Sequence, residues 1–178
     1  MFWVGGNPST RKIQRHKIIY ALENKKRKSI MKIYMDNCCY NRPYDDQTHI
    51  RIYLETEAKL HIQDMVKKGY IDLVTSFMLE YENGKNRFSH KRKAISDFMS
   101  TNESYYVGIE KGEEAKLIAG RIMESGVKSA DALHVACAVL AGSDYFITTD
   151  DRLLKFQTED IQIVTPGEFI RRLEVSDE

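Results

Sequence analysis

The sequence predicts an α/β fold of three layers, with helices on either side of a mostly parallel sheet of about five strands. Three observations predict it. From Met31 onward, short apolar or β-branched runs alternate with amphipathic helical stretches, the pattern of βα units joined by right-handed crossovers. Glycines close the helical stretches at Gly69, Gly126 and Gly142, where a left-handed residue ends a helix most easily. The segment 130–141 is apolar almost all round, which marks a helix buried between a sheet and its neighbours.

The elements follow in order. Met31-Lys32-Ile33-Tyr34-Met35 reads as a first strand ending at Asp36. A loop through Asn41-Arg42-Pro43 and Asp45-Asp46 leads to a long helix over 47–68. Ile71 to Thr75 is a second strand, and Ser76 caps a helix carrying Met78, Leu79 and Glu80. Residues 84–102 are charged and partly helical, and Tyr105 to Ile109 forms a short third strand. A helix over about 111–125 follows, and Ser129 caps the apolar helix after it. Tyr145 to Thr149 is a strand delivering Asp150, followed by a short helix through Leu153 and Leu154. Ile161 to Val164 is the last strand, and Pro166 opens a terminal helix at the position that needs no amide donor.

At 178 residues the chain fits one domain with a core of useful size. Its net charge of +1 conceals an asymmetry. Residues 1–30 carry eight Lys/Arg against the single acid Glu23, whereas the remainder holds 19 basic and 25 acidic residues. Residues 1–30 thus form a basic N-terminal extension, disordered or helical, and 31–178 the folded domain; Met31 is itself a candidate start. A body this acidic does not bind nucleic acid by bulk charge, so a polyanion must meet local basic patches or metal ions. Three cysteines, two of them adjacent (Cys38, Cys39), describe neither a disulfide framework nor a zinc site. Reduced thiols in a cytoplasm are the simplest account. No apolar run approaches a membrane span or a signal-peptide core.

Four acids stand where strands end or helices begin: Asp36, Glu80, Asp131 and Asp150. Each has an ordinary use as a turn, cap or surface residue. Together they matter more, because a parallel sheet gathers the carboxyl ends of its strands at one crevice. Converging carboxylates repel by about 4 kcal/mol per pair at ~4 Å and an effective dielectric near 20. Protons or a divalent cation must relieve that repulsion. Oxygen ligands of this kind suit Mg²⁺ or Mn²⁺, ions that assist phosphodiester hydrolysis. Rival chemistries lack their motifs: no GxGxxG, no GxxxxGK[ST] and no GxSxG occurs. An aspartyl phosphatase would want a second acid two residues after the first, where Cys38 stands.

Four segments resemble the PIN-domain nucleases. They are Ile33-Tyr34-Met35-Asp36, Thr75-Ser76-Phe77-Met78-Leu79-Glu80, Ser129-Ala130-Asp131-Ala132-Leu133-His134-Val135-Ala136-Cys137-Ala138 and Phe146-Ile147-Thr148-Thr149-Asp150-Asp151-Arg152-Leu153. The resemblance covers about residues 31–173, and the last two segments are its most specific. It implies a PIN-like fold and a Mg²⁺/Mn²⁺ pocket. Asp36, Asp131 and Asp150 would hold the metal, Glu80 would help activate water, and Thr148 and Asn37 would orient the pocket from behind. It also implies RNA as substrate and, for the virulence-associated protein C group of toxins, an antitoxin protein partner and a homodimer. Cys38 departs from the Ser or Asn common two residues after the first acid, and a thiol is the weaker hydrogen-bonding group. Arg42, in the loop after Asp36, is a candidate for contacting substrate phosphate, against the plainer role of a surface arginine. The expectation is a metal-dependent endoribonuclease, the toxin of a type II pair. The rivals are a catalytically inactive PIN-like module binding protein or RNA, and a phosphomonoesterase on a similar sheet.

Overall fold

The structure, a computed structural model, describes residues 30–176. The basic extension expected over 1–30 lies, but for Ile30, outside the described residues. From Met31 the chain builds one compact unit. Its elements are β1 (Lys32–Met35), α1 (Asn37–Asn41), α2 (Ile50–Lys67), β2 (Asp72–Ser76), α3 (Phe77–Gly84), α4 (Ser89–Asn102) and β3 (Glu103–Val107). Then follow α5 (Gly112–Met123), α6 (Ser129–Leu140), β4 (Tyr145–Ile147), β5 (Gln162–Val164) and α7 (Pro166–Ser176). Single 3₁₀ turns stand at Arg42–Tyr44, Ile109–Lys111 and Leu153–Lys155.

The five strands form one sheet in the order β3-β2-β1-β4-β5, with every pair parallel. The α/β class with a five-stranded parallel sheet is therefore as expected. β1 sits at the centre, with Ile33 opposite Leu73 on one side and Tyr145 on the other. Its residues Ile33, Tyr34 and Met35 are fully buried, as a strand covered on both faces must be. Helices flank the sheet: α5 packs on α6, and α2 packs on α7. Tyr34 stacks on Phe146 at 5.3 Å, and Tyr145 meets Phe169 of α7 edge-on at 5.1 Å. These aromatic pairs join β1 to β4 and the last helix to the sheet.

Several boundaries differ from the sequence reading for local reasons. α2 starts at Ile50, not 47, because Asp46 Oδ1 accepts from the Thr48 amide (3.0 Å) and hydroxyl (2.7 Å) and holds a turn there. β3 begins at Glu103 because α4 runs straight into it, and Gly108 ends it before Ile109. Ser129 does not cap α6: Lys128 is the cap residue, without a side-chain bond, and Ser129 is the first helical residue. Gly69, Gly126 and Gly142 all have positive φ, as their helix-closing role requires.

Phe169 is fully buried and anchors α7. Phe169→Ala should cost about 3–5 kcal/mol through the cavity it leaves, seen as a lower midpoint in urea unfolding; a loss below about 1 kcal/mol would show α7 to be loosely docked.

Candidate metal centre

The strand order reverses at β1: the chain steps outward through β2 and β3, then returns to place β4 on its other side. At such a switch point the loops leaving neighbouring strands diverge and open a crevice. Asp36 and Thr148 are the first residues beyond β1 and β4. Their backbones are fixed there, Asp36 N donating to Ile147 O (2.9 Å) and Thr148 N to Val164 O (2.9 Å).

Asp36 is buried and oriented by three donors. The Asn37 amide donates to Oδ1 (2.7 Å), while the Thr148 hydroxyl (2.8 Å) and the Cys38 thiol (3.2 Å) donate to Oδ2. The Thr148 hydroxyl also accepts from the Asp150 amide at 3.1 Å, so one group fixes both loops. Cys38 does more than its thiol suggested. Its sulfur donates to Asp36 and accepts from the Thr149 amide at 3.3 Å, bridging the β1 and β4 loops as a hydroxyl would.

Asp150 Oδ1 accepts from the amides of Arg152 (2.7 Å) and Leu153 (3.4 Å), capping the turn after it. Asp151, its sequence neighbour, points elsewhere into a two-pronged pair with Arg51 at 2.7 and 2.8 Å. Asp131 occupies the first turn of α6, half-buried, and makes no hydrogen bond among the described residues. Burial raises its pKa, and the charges of Asp36 and Asp150 raise it further, against His134 and Lys128. Asp36, Asp131 and Asp150 are thus within electrostatic reach of one another.

Glu80 is not in this group. It is exposed, and its Oε2 accepts from the Tyr106 hydroxyl of β3 at 2.6 Å. The glutamate that turns inward is Glu82, whose Oε2 lies 3.1 Å from His134 Nε2. This contact lowers the Glu82 pKa, with Asn37 adding a smaller hydrogen bond. Carboxylate oxygens of Asp36 and Glu82 and a ring nitrogen of His134 all lie within 4.8 Å of one another. Residues 80 and 82 differ by about 200° around a helix. Met78 and Leu79, four and three positions before Glu82, mark the buried face, so the apolar spacing pointed to Glu82.

His134 is 1% exposed. Its Nδ1 bonds the Tyr34 hydroxyl (2.7 Å), which bonds Ser76 Oγ (2.7 Å). Nε2 meets Glu82 at ion-pair distance but makes no well-aligned hydrogen bond. A bare nitrogen lone pair facing two carboxylates is repulsive, so the arrangement calls for a proton on Nε2 or a cation between the three groups. Oxygens from Asp36 and Glu82 with one imidazole nitrogen fit a divalent ion, and the Tyr34–His134 bond is the kind of backing that ligating histidines have. Arg42, expected from its loop position to contact phosphate, is occupied: Nε pairs with Glu55 (2.6 Å) and Nη1 with Asp45 (3.0 Å).

No protein-family model and no curated protein matches the chain. Among solved structures it is similar to VapBC2 from Rickettsia felis bound to a DNA fragment from their promoter, at 10% identity and a TM-score of 0.47, over 75% of this chain and 97% of that one. It is also similar to FitAcB from Neisseria gonorrhoeae, at 12% identity and a TM-score of 0.48, over 76% and 98% of the two chains. At these values the likeness decides nothing about chemistry, which rests on the side chains of the site. No described helix is long and apolar enough to cross a membrane.

The raised pKa of Asp131 has a stability consequence in metal-free buffer. Between the ordinary carboxyl value and the raised one, the folded chain binds more protons at this site than the unfolded chain, so this group's contribution falls as pH rises. Asp131→Asn should flatten that part of the profile, with urea midpoints from pH 4 to pH 7 compared between the two proteins. An unchanged slope would mean that Asp131 is not under pressure from its neighbours.

Proposed function

We propose that the chain is a metal-dependent endoribonuclease using Mg²⁺ or Mn²⁺, with a PIN-like domain over 31–178 and residues 1–30 as a basic arm. The observation that carries this reading is the meeting of Asp36, Glu82 and His134 within 4.8 Å of one another at the switch point, with Asp131 in electrostatic reach of Asp36 and Asp150. Asp36, Asp131 and Asp150 would hold the metal, with Glu82 in the place expected of Glu80. A divalent ion held there supplies Lewis-acid stabilisation for the charge developing on a phosphodiester. Thr148 and Cys38 keep the Asp36 carboxylate in one orientation, and Asn37 supports Glu82. His134 keeps Glu82 ionised, which suits Glu82 to orient the attacking water and take its proton.

A cleft of about 340 Å³ opens beside Asp131, lined also by Lys128, Arg152, Lys155 and Phe156. Those three cations have no ion pair among the described residues. They suit a phosphodiester backbone led towards the acids, and Phe156 offers a face for a base. Lys128, Arg152 and Lys155 therefore take the role expected of Arg42. A toxin role in the cytoplasm, with an antitoxin partner and a homodimer, follows from the four resembling segments. The second reading, a PIN-like module that binds without cleaving, rests on the thiol of Cys38, which makes the bonds of a hydroxyl at longer, weaker distances (3.2 and 3.3 Å).

Metal binding and cleavage separate the two. Mn²⁺ at 100 times its Kd should add about 2.7 kcal/mol to stability, read as a higher melting temperature that EDTA reverses. Asp36→Asn should lower cleavage of a labelled RNA oligomer about 100-fold or more, a loss of about 2.7 kcal/mol in transition-state stabilisation. Cleavage kept in that variant rules out the assignment, and Mn²⁺ binding without cleavage favours the binding module.

Glu82→Gln should cost at least about tenfold in the same assay and Glu80→Gln less than about twofold. The reverse ranking would return the role to Glu80.

A further inference from the structure

A second concave site lies where α2, α4 and the end of α1 meet, a cleft of about 280 Å³ lined by Tyr40, Lys59, Gln63, Lys67, Ile95 and Phe98 among others. Its unusual member is Lys59, a lysine only 5% exposed that makes no ion pair and no hydrogen bond among the described residues. Lysines are seldom buried unless paired. The acid that should pair with it is Glu55, one helical turn earlier on α2. Glu55 is already held by Arg42 at 2.6 Å and Arg51 at 2.8 Å. The Lys59 ammonium stands 5.8 Å from the Tyr40 ring centroid. Burial lowers its pKa to about 8, with Lys67 pushing the same way and Cys39 opposing.

Other lining groups share this want of partners. The Tyr40 hydroxyl is buried with no hydrogen-bond partner, and Gln63, one turn beyond Lys59 on the same stripe of α2, is also buried. Ile95 and Phe98 form an apolar wall on α4, and Lys67 stands 5.8 Å from the Phe98 ring. One lysine at the buried end, with Lys67 at the exposed rim, nearby polar groups and an aromatic wall describe a receptor for an anion on an apolar stem. At the buried end the one ammonium of Lys59 balances the single charge of a carboxylate, whereas a doubly charged phosphate would be left half-compensated there.

We propose that this cleft binds a carboxylate carried on an apolar body, with Lys59 as its ion-pair partner and Ile95 and Phe98 packing against the stem. The site involves none of Asp36, Glu82, Asp131 or Asp150, and it stands whether or not the chain cleaves RNA. The carboxylate has two sources, a free small acid or a glutamate within an apolar stretch of a partner chain. Lys59 answers to both.

The test pairs each acid with its neutral amide: 3-phenylpropionate with 3-phenylpropanamide, and acetyl-Leu-Glu-Phe-amide with its Gln counterpart. Binding to the full chain is followed by calorimetry and by the ε-methylene NMR signals of Lys59. At least one acid should bind about tenfold or more tightly than its amide, shift the Lys59 signals, and lose that preference in Lys59→Met. Tighter binding of the tripeptide assigns the site to a partner's acidic segment, and tighter binding of 3-phenylpropionate to a small metabolite-like acid. Acids and amides binding alike, or neither acid binding at about 10 mM, overturns the proposal without recourse to the variant. A preference that survives in Lys59→Met overturns it as well.

Discussion

The Thr148 hydroxyl is the constraint on which the rest of the site depends. It donates to Asp36 and accepts from the Asp150 amide, so the loops after β1 and β4 share one buried oxygen. The backbone bond from Asp36 N to Ile147 O sets the two strand ends side by side before any side chain acts. A buried carboxylate is tolerated only when its lone pairs are met. Thr148, Cys38 and the Asn37 amide meet those of Asp36 and leave its charge facing Asp131 and Asp150. The orienting bonds come from α1 and from Thr148, pinned at the end of β4 by its backbone bond to Val164, whereas the repulsion comes from α6 and from Asp150 further along the same loop. The sheet therefore supplies the stability that the cluster of acids withdraws.

His134 and Glu82 add a second layer of the same logic. Tyr34 lies on the central strand, stacks on Phe146, and carries its hydroxyl to Nδ1 of His134 on α6 and to Ser76 at the end of β2. That relay ties three elements together through polar groups inside an otherwise apolar core. It also directs Nε2 of the ring towards Glu82, where a proton or a cation must stand between nitrogen and carboxylate. Buried polar chains of this kind stabilise when every member is satisfied and are costly when one is not. The end of the relay is thus where core packing and metal chemistry become the same question.

What the sequence disclosed follows from which forces were local. Asp36 and Asp150 were legible because each follows an apolar run, and a parallel sheet sends such positions to one edge. Asp131 was legible because an acid beside Ser129 and Ala130 opens an otherwise apolar helix. Glu80 stands at the resembling position of its segment, but helical phase, which Met78 and Leu79 carry, turns Glu82 inward instead. Arg42 looked free because its partner Glu55 lies 13 residues away on another helix. The start of α2 shifted because a single Asp46 side chain captured the turn before it. Cys38 was legible as a departure and illegible in its effect, since only the folded β4 loop brings the Thr149 amide to its sulfur.

The same reasoning explains why Lys59 stands apart from the other cations. Arg42 and Arg51 reach Glu55 with forked, planar groups that bind a carboxylate through more than one donor. Lys59 offers a single point charge from deeper in the helix face, so it loses that competition and is left without a counter-ion. The cost of the unpaired ammonium is offset in part by its approach to the Tyr40 ring, the compensation that a desolvated cation finds against an aromatic face. An apolar residue at position 59 would pack in the same place without that cost, so the unpaired ammonium is a charge whose partner the isolated fold does not supply.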